Sequence, residues 1–314
     1  MSCAIELKKQ GFNPLIIEKQ NVAHTIHQFP THQTFFSSSD KLEIGEVPFI
    51  TEKQKPVRNE ALVYYRNVAK RMDLRINTFE KVTAVEKKGD AFLIYTQHTT
   101  GEERIYKADY AIIATGYYDQ PNTLGVPGET LPKVSHYFKE AHPYFNTDVV
   151  VIGGKNSAVD AALELHAAGA HVTVLYRGAE YSQSIKPWIL PNFEALANKQ
   201  YVKMVFSAQV RSITDHSVTY QTGKEVHTID NDFVFAMIGY KPNVEFLETM
   251  GIKIDSETGK PCHDEHTYET NVPGIYIAGV VAAGFNNNKI FIENGRFHGM
   301  NIAKSIADKE TIHQ

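Results

Sequence analysis

Cysteine is nearly absent: Cys3 and Cys262 are the only two in 314 residues. That excludes a disulfide framework, a cysteine metal cluster and a Cys-x-x-Cys pair, so any redox role must lean on a cofactor. No apolar run reaches the length of a membrane span, and the first residues, Met1 to Gln10, contain no signal-peptide core. An excess of one charge is missing too. With 32 basic and 36 acidic residues the net charge is −4, which gives no electrostatic case for nucleic acid or a membrane surface as partner. A cytoplasmic location is expected, and no metal site. The 42% hydrophobic and 22% charged content is that of a globular protein, and the length fits about two domains.

The stretch from Asp148 to Arg177 organises the rest. Val149 to Ile152 are uniformly β-branched, as a parallel strand buried on both faces should be. Gly153-Gly154 then gives a tight turn, and a helix is expected from Asn156 to Ala168 with Val159, Ala162, Leu163, Leu165 and Ala167 facing the sheet. Gly169 caps it and a second strand follows. Strand, glycine turn, helix and strand make a dinucleotide-binding unit, whose helix N-terminus offers free N–H groups to a pyrophosphate. The middle glycine of the usual G-x-G-x-x-G/A pattern is replaced by Lys155, between Gly153 and Ala158. Lys155 either brings a charge to the phosphates or points to solvent. At the end of the second strand, where an NAD site carries an acid, stands Arg177; arginine there favours the 2′-phosphate of NADP, the alternative being a strand-end arginine with no ligand. The expected NADP-binding set is Gly153, Gly154, Lys155, Asn156, Ser157, Ala158 and Arg177.

Residues 4 to 19 repeat the pattern of 162 to 177: a helix, a capping glycine (Gly11, Gly169), then an apolar strand. Asp109 to Tyr117 likewise matches Asp232 to Tyr240, so two homologous domains are implied. Each carries three short alternating segments: Phe79–Val85, Phe92–Thr96 and Glu103–Tyr106 in the first, Val210–Thr214, Ser217–Gln221 and Val226–Ile229 in the second. These predict a β-meander in each domain. An amphipathic helix is expected over Arg58–Met72 and a long one over Lys289–Ala307. Glu18, the acid at the first domain's strand end, suits a ribose diol and hence FAD or NAD; an exposed strand-end glutamate is the plainer alternative. Carried back by the repeat offset, the first domain's own central strand and glycine loop fall before Met1. As written, the chain is therefore expected to lack them and to hold FAD weakly.

With Ala114-Thr115-Gly116, Ile152-Gly153-Gly154, Gly239-Tyr-Lys-Pro-Asn243 and Ile277-Ala278-Gly279 in this order, the chain resembles the thioredoxin reductase and flavin monooxygenase group. Within that group His27 to Gly45 and Gly153 to Ala158 make it similar to the YpdA family of bacillithiol disulfide reductases. The resemblance implies an α/β fold of two Rossmann-like domains, each with a β-meander: an FAD-binding domain from residues 1–120 and 245–314, and an NADPH-binding domain from 121–244. It implies an NADPH-dependent FAD flavoprotein that reduces a low-molecular-weight disulfide, with a homo-oligomer expected. FAD would meet Glu18, Lys19, Val82, Ala114, Thr115, Gly116, Gly279 and Val280. The helix after Lys289 would aim its positive end at the flavin ring. No catalytic residue is singled out, because the family's reactive cysteine lies in the missing loop and neither Cys3 nor Cys262 aligns with it. Val280 stands where many relatives have aspartate, so flavin contact there is expected through backbone. A flavin monooxygenase or other NADPH-flavin reductase is the alternative enzyme; the alternative of another class is a non-catalytic NADP(H)-binding remnant without flavin.

Overall fold

The computed structural model describes residues 1–286 and 288–312. They form two compact units: the first comprises Met1–His27, Gln33–Gln120 and the chain from Lys241 onward, the second Gln28–His32 and Pro121–Tyr240.

The chain enters on helix α1 (Ser2–Lys9), strand β1 (Leu15–Ile17) and a short helix α2 (His24–Gln28). Helix α3 (Arg58–Arg71) follows, its Ala61, Tyr64, Tyr65 and Val68 buried. Tyr64 was not expected on the buried face. Its hydroxyl explains the place, donating to the carbonyl of Val47 at 2.8 Å while accepting the N–H of Ile44 at 2.9 Å. Strand β2 (Arg75–Asn77) pairs with β1 in parallel. Strands β3 (Glu80–Lys88), β4 (Ala91–His98) and β5 (Glu103–Ala108) then form an antiparallel meander, and β6 (Ala111–Ile113) closes this part.

In the second unit β7 (Val134–Ser135), β8 (Asp148–Ile152), helix α4 (Asn156–Ala167), β9 (His171–Leu175), helix α5 (Leu190–Asn198) and β10 (Val202–Val205) come first. The second meander, β11 (Ala208–Ile213), β12 (Ser217–Thr222) and β13 (Glu225–Asp230), precedes β14 (Phe233–Ala236). Five strands make one parallel sheet in the order β10-β9-β8-β14-β7. Val149, Val150 and Val151 of its central strand are at most 1% exposed, as a strand covered on both faces requires. Helix α4 buries Ala158, Val159, Ala161, Ala162 and Leu165 against it. Ala167, expected on that face, is exposed, because it lies in the last turn, where the helix leaves the sheet.

The chain then adds helix α6 (Val244–Thr249), strand β15 (Ile275–Ile277) paired in parallel with β6, and helices α7 (Ile292–Gly295) and α8 (His298–Ile312). The single helix expected over Lys289–Ala307 is therefore two. The N–H groups of Phe297 and Met300 donate to carbonyls three residues back, those of Asn294 and Phe297, and this tighter turn breaks the cylinder between Gly295 and His298. A helix of four residues is too short to present a useful dipole, so the expected positive end aimed at a flavin ring is not formed by α7.

Candidate dinucleotide sites

In the second unit the site is built by the turn between β8 and α4. Gly153 has φ +141°, and a Cβ there would lie 2.4 Å from the carbonyl oxygen of Met237; one on Gly154 would lie 2.3 Å from the ring of Tyr176. Both positions accept only glycine in this packing. Lys155 is extended and exposed, and its carbonyl accepts the N–H groups of Ala158 and Val159 at 3.1 Å each. The amides of Asn156 and Ser157 are thereby left without an intrahelical acceptor, which is the donor pair a phosphate needs. Ala158 is fully buried against the sheet and cannot itself touch a ligand with its side chain.

Asn156 does more than begin the helix. Its Nδ2 donates to the carbonyl of Ser184 and its Oδ1 accepts the N–H of Lys186, both at 2.9 Å. The side chain is thus spent on holding the loop of residues 182–188, and only its backbone is left for a nucleotide. Arg177 ends the strand run exposed, with no ion pair among the described residues. Between Gly154 and Gly178 stands the ring of Tyr176, over which either glycine's Cβ would collide. Tyr176 and the 182–188 loop were not singled out from the sequence; the run Tyr176-Arg177-Gly178 was a usable signal, the loop's anchoring on Asn156 was not.

The first unit brings its candidates to the ends of two strand pairs. Ala114, Thr115 and Gly116 follow β6, Gly279 and Val280 follow β15, and Cγ1 of Val280 lies 3.9 Å from where a Gly116 Cβ would be. Gly295 closes on the same turn, its Cβ position 3.5 Å from the Cα of Gly279. These are the carboxyl ends of adjacent parallel strands, where α/β sheets bind ligands. Glu18 follows β1; one oxygen accepts the N–H of Gln20 at 2.9 Å, leaving the other for a ribose. Lys19 is paired with Asp119 at 2.7 Å, which links the end of β1 to the segment after Gly116. Val82 sits inside β3 opposite Thr96, packed against the apolar cluster of Phe92 and Ile277.

For a dinucleotide the second unit fits at its pyrophosphate through the amides of Asn156 and Ser157, which have no intrahelical acceptor, in a turn whose glycines are fixed by close contact with Met237 and Tyr176. The first unit fits at the ribose and at the glycine turns, where Gly279 has φ +75° and open space beside it. Among its described residues it holds no counterpart of the Gly153–Asn156 turn. Neither cysteine enters either arrangement. Cys3 packs with Leu7, Tyr276 and Ile302, and burial pushes its thiol up; Cys262 is exposed.

The family model described as pyridine nucleotide-disulphide oxidoreductase matches residues 1–279. The bacilliredoxin reductase Bdr of Bacillus subtilis (strain 168) is 61% identical over 312 residues, 99% of this chain and 95% of that protein. The solved structure of the bacillithiol disulfide reductase Bdr (YpdA) from Bacillus cereus is 60% identical with a TM-score of 0.97, covering 98% of this chain and 95% of that one. A thioredoxin reductase from Lactococcus lactis has a TM-score of 0.76 at 22% identity, over all of this chain and 95% of that one, and shares the fold. No helix among the described residues is long and apolar enough to cross a membrane. The chain belongs to the pyridine nucleotide-disulphide oxidoreductase family, in the branch of the Bdr reductases.

Proposed function

We propose that the protein is a cytoplasmic NADPH-dependent FAD reductase of a small thiol disulfide, bacillithiol disulfide being the acceptor its relatives' names suggest. Residues 121–244 would bind NADPH, and 1–120 with 245–314 would bind FAD. When bound, the nicotinamide supplies hydride and the flavin carries the electron pair to the disulfide. The chain's own part is to bind and orient. Gly153 and Gly154 let the pyrophosphate approach, the amides of Asn156 and Ser157 donate to it, and Arg177 pairs with the 2′-phosphate. Glu18 accepts from the adenosine ribose, while the turns at Ala114–Gly116 and Gly279–Val280 flank the rest of the flavin nucleotide.

The observation that carries this reading is Arg177, exposed without an ion pair at the end of β9, beside a turn that only glycine can make. It is tested by titrating NADPH and NADH into the wild type and Arg177→Glu. A charge-assisted phosphate pair is worth about 1.5–3 kcal/mol, so the variant should lose roughly ten- to a hundredfold in NADPH affinity and gain for NADH. Equal affinities for both nucleotides before and after the change would overturn it. The acceptor is read separately, by NADPH oxidation with bacillithiol disulfide or with a bacilliredoxin mixed disulfide. Turnover of the first alone supports the small-molecule reading, and turnover of the second alone replaces it by a protein acceptor.

A further inference from the structure

His298, the first residue of α8, is only 5% exposed, and its Nδ1 lies 3.1 Å from the amide nitrogen of Gly279. An amide can only donate, so Nδ1 must be the accepting nitrogen and the ring must be neutral with its proton on Nε2. The ring is held from the side by Tyr268, stacked at 4.0 Å and 16°, and Tyr268 is stacked in turn by His263 at 5.9 Å and 17°. His263 is fixed by its own Nδ1, which meets the carbonyl of Pro261 at 2.6 Å. Burial and the nearby His263 push His298 down to about 4, which agrees with a ring kept neutral for accepting.

Two glycines let the ring reach its partner. Gly295 rests on Gly279 itself, and a Cβ on Gly299 would lie 2.9 Å from the backbone of Cys3, so the start of α8 is seated against α1 with no space to shift. The buried histidine is therefore over-determined: stack, helix start and acceptor geometry all require one orientation.

We infer that His298 is a positioning residue for the flavin-side turn: as a neutral acceptor it takes the N–H of Gly279 and so fixes the direction in which the backbone leaves β15 toward Val280. The inference rests on the reading that this turn meets FAD. An N–H already satisfied gives nothing to a ligand, so flavin contact here falls to the backbone after Gly279, and its direction depends on His298.

The test uses the full chain, FAD as probe, and the variants His298→Phe, which keeps an aromatic ring on Tyr268 without an acceptor, and His298→Asn, whose Oδ1 can replace Nδ1. Long-range nitrogen NMR of the wild type should place the His298 proton on Nε2. His298→Phe should bind NADPH as before but lose about tenfold in FAD affinity, with a shifted flavin absorption spectrum, and His298→Asn should restore both. A wild-type proton on Nδ1, or FAD affinity and spectrum unchanged in His298→Phe, overturns the inference while leaving the flavin site standing. Failure of the wild type to take up FAD overturns the flavin reading and the inference with it. Equal losses of FAD and NADPH affinity in His298→Phe also overturn it, because that is general damage.

Discussion

The second unit runs its five parallel strands without a break, whereas the first holds the matching strands as two separate pairs, β2 with β1 and β6 with β15. Laid on the repeat, β10, β9 and β14 correspond to β2, β1 and β6, while β7 and β15, which come from different places in the chain, pair in the same way beside β14 and β6. The strand without a counterpart among the described residues is β8, the one that carries Gly153. Locally the two units are otherwise copies. Gly11 and Gly169 have φ +86° and +87°, and the residue after each donates to the matching helix carbonyl, Phe12 to Leu7 and Ala170 to Leu165, both at 3.0 Å. The lesson is that a helix cap needs only its own few residues, while the continuity of a parallel sheet and the phosphate turn hang on one central strand.

The largest effect should follow from damaging that strand's turn. Gly154→Val places its first carbon 2.3 Å from ring atoms of Tyr176 near the backbone, which cannot swing aside as a chain end could. NADPH binding by titration calorimetry should fall by more than about a hundredfold, while FAD binding to the first unit stays as it was. Parallel loss of both nucleotides would break the separation of the two units.

Hydrogen exchange measures the same contrast without a mutation. Amides of β8 and β9 lie in strands paired on both sides, whereas β1 and β6 each pair on one side only. Protection in β8 and β9 should exceed that in β1 and β6 by at least about tenfold. Equal protection would mean that some other contact covers the open edges of the first unit.

How much of this was legible in the sequence depends on range. The β8-turn-α4 unit could be read because Val149–Ile152, Gly153-Gly154 and Gly169 each act within a few residues, and both meanders were found from alternation and turn glycines. The break between α7 and α8 was not, since Ile290, Phe297 and Met300, seven and three residues apart, keep helical spacing across it while the packing of Gly299 on Cys3, almost 300 residues away, is a tertiary constraint. Phe297 and Met300 are in fact 51% and 55% exposed, so the pattern that suggested one buried stripe was misleading. Asn156 belongs to the expected NADP set, and its backbone amide keeps that place; what the sequence does not show is the use of its side chain. Its grip on Ser184 and Lys186 is a loop contact no periodicity encodes. His298 carries no local signal beyond the glycine that follows it.

A smaller effect distinguishes the outer faces of the equivalent helices. Burial and Glu164 push Asp160 on α4 up to about 6, while the matching position on α1 is Ser2, whose hydroxyl donates to the carbonyl of Arg296. A carboxyl whose folded pKa lies above its unfolded value of 3.8 is protonated more readily in the folded state. It costs stability as pH rises from 3.8 through about 6, and the full cost is carried at neutral pH. Asp160→Asn should therefore stabilise the second unit by about 1–2 kcal/mol at pH 7, after allowance for partial exposure, with the gain fading as pH falls toward 3.8. A gain independent of pH would assign the effect to packing instead.

The smallest difference lies in the two caps. Gly11→Ala meets nothing within 4 Å, so its cost is that of a left-handed alanine alone, about 1 kcal/mol. Gly169→Ala has the same φ but brings its Cβ to 2.9 Å from the ring of Phe145. That ring is 69% exposed and can rotate away, so the added cost should be a few tenths of a kcal/mol only, roughly what a shifted surface rotamer carries. Because the two units need not unfold together, each substitution is read from the transition of its own unit, the second identified by its shift on adding NADPH. In a Phe145→Ala background the excess at Gly169 should vanish and the two caps should cost the same. An excess above about 1 kcal/mol that survives Phe145→Ala would show that the caps are not equivalent and that the repeat is less close in backbone than their angles imply.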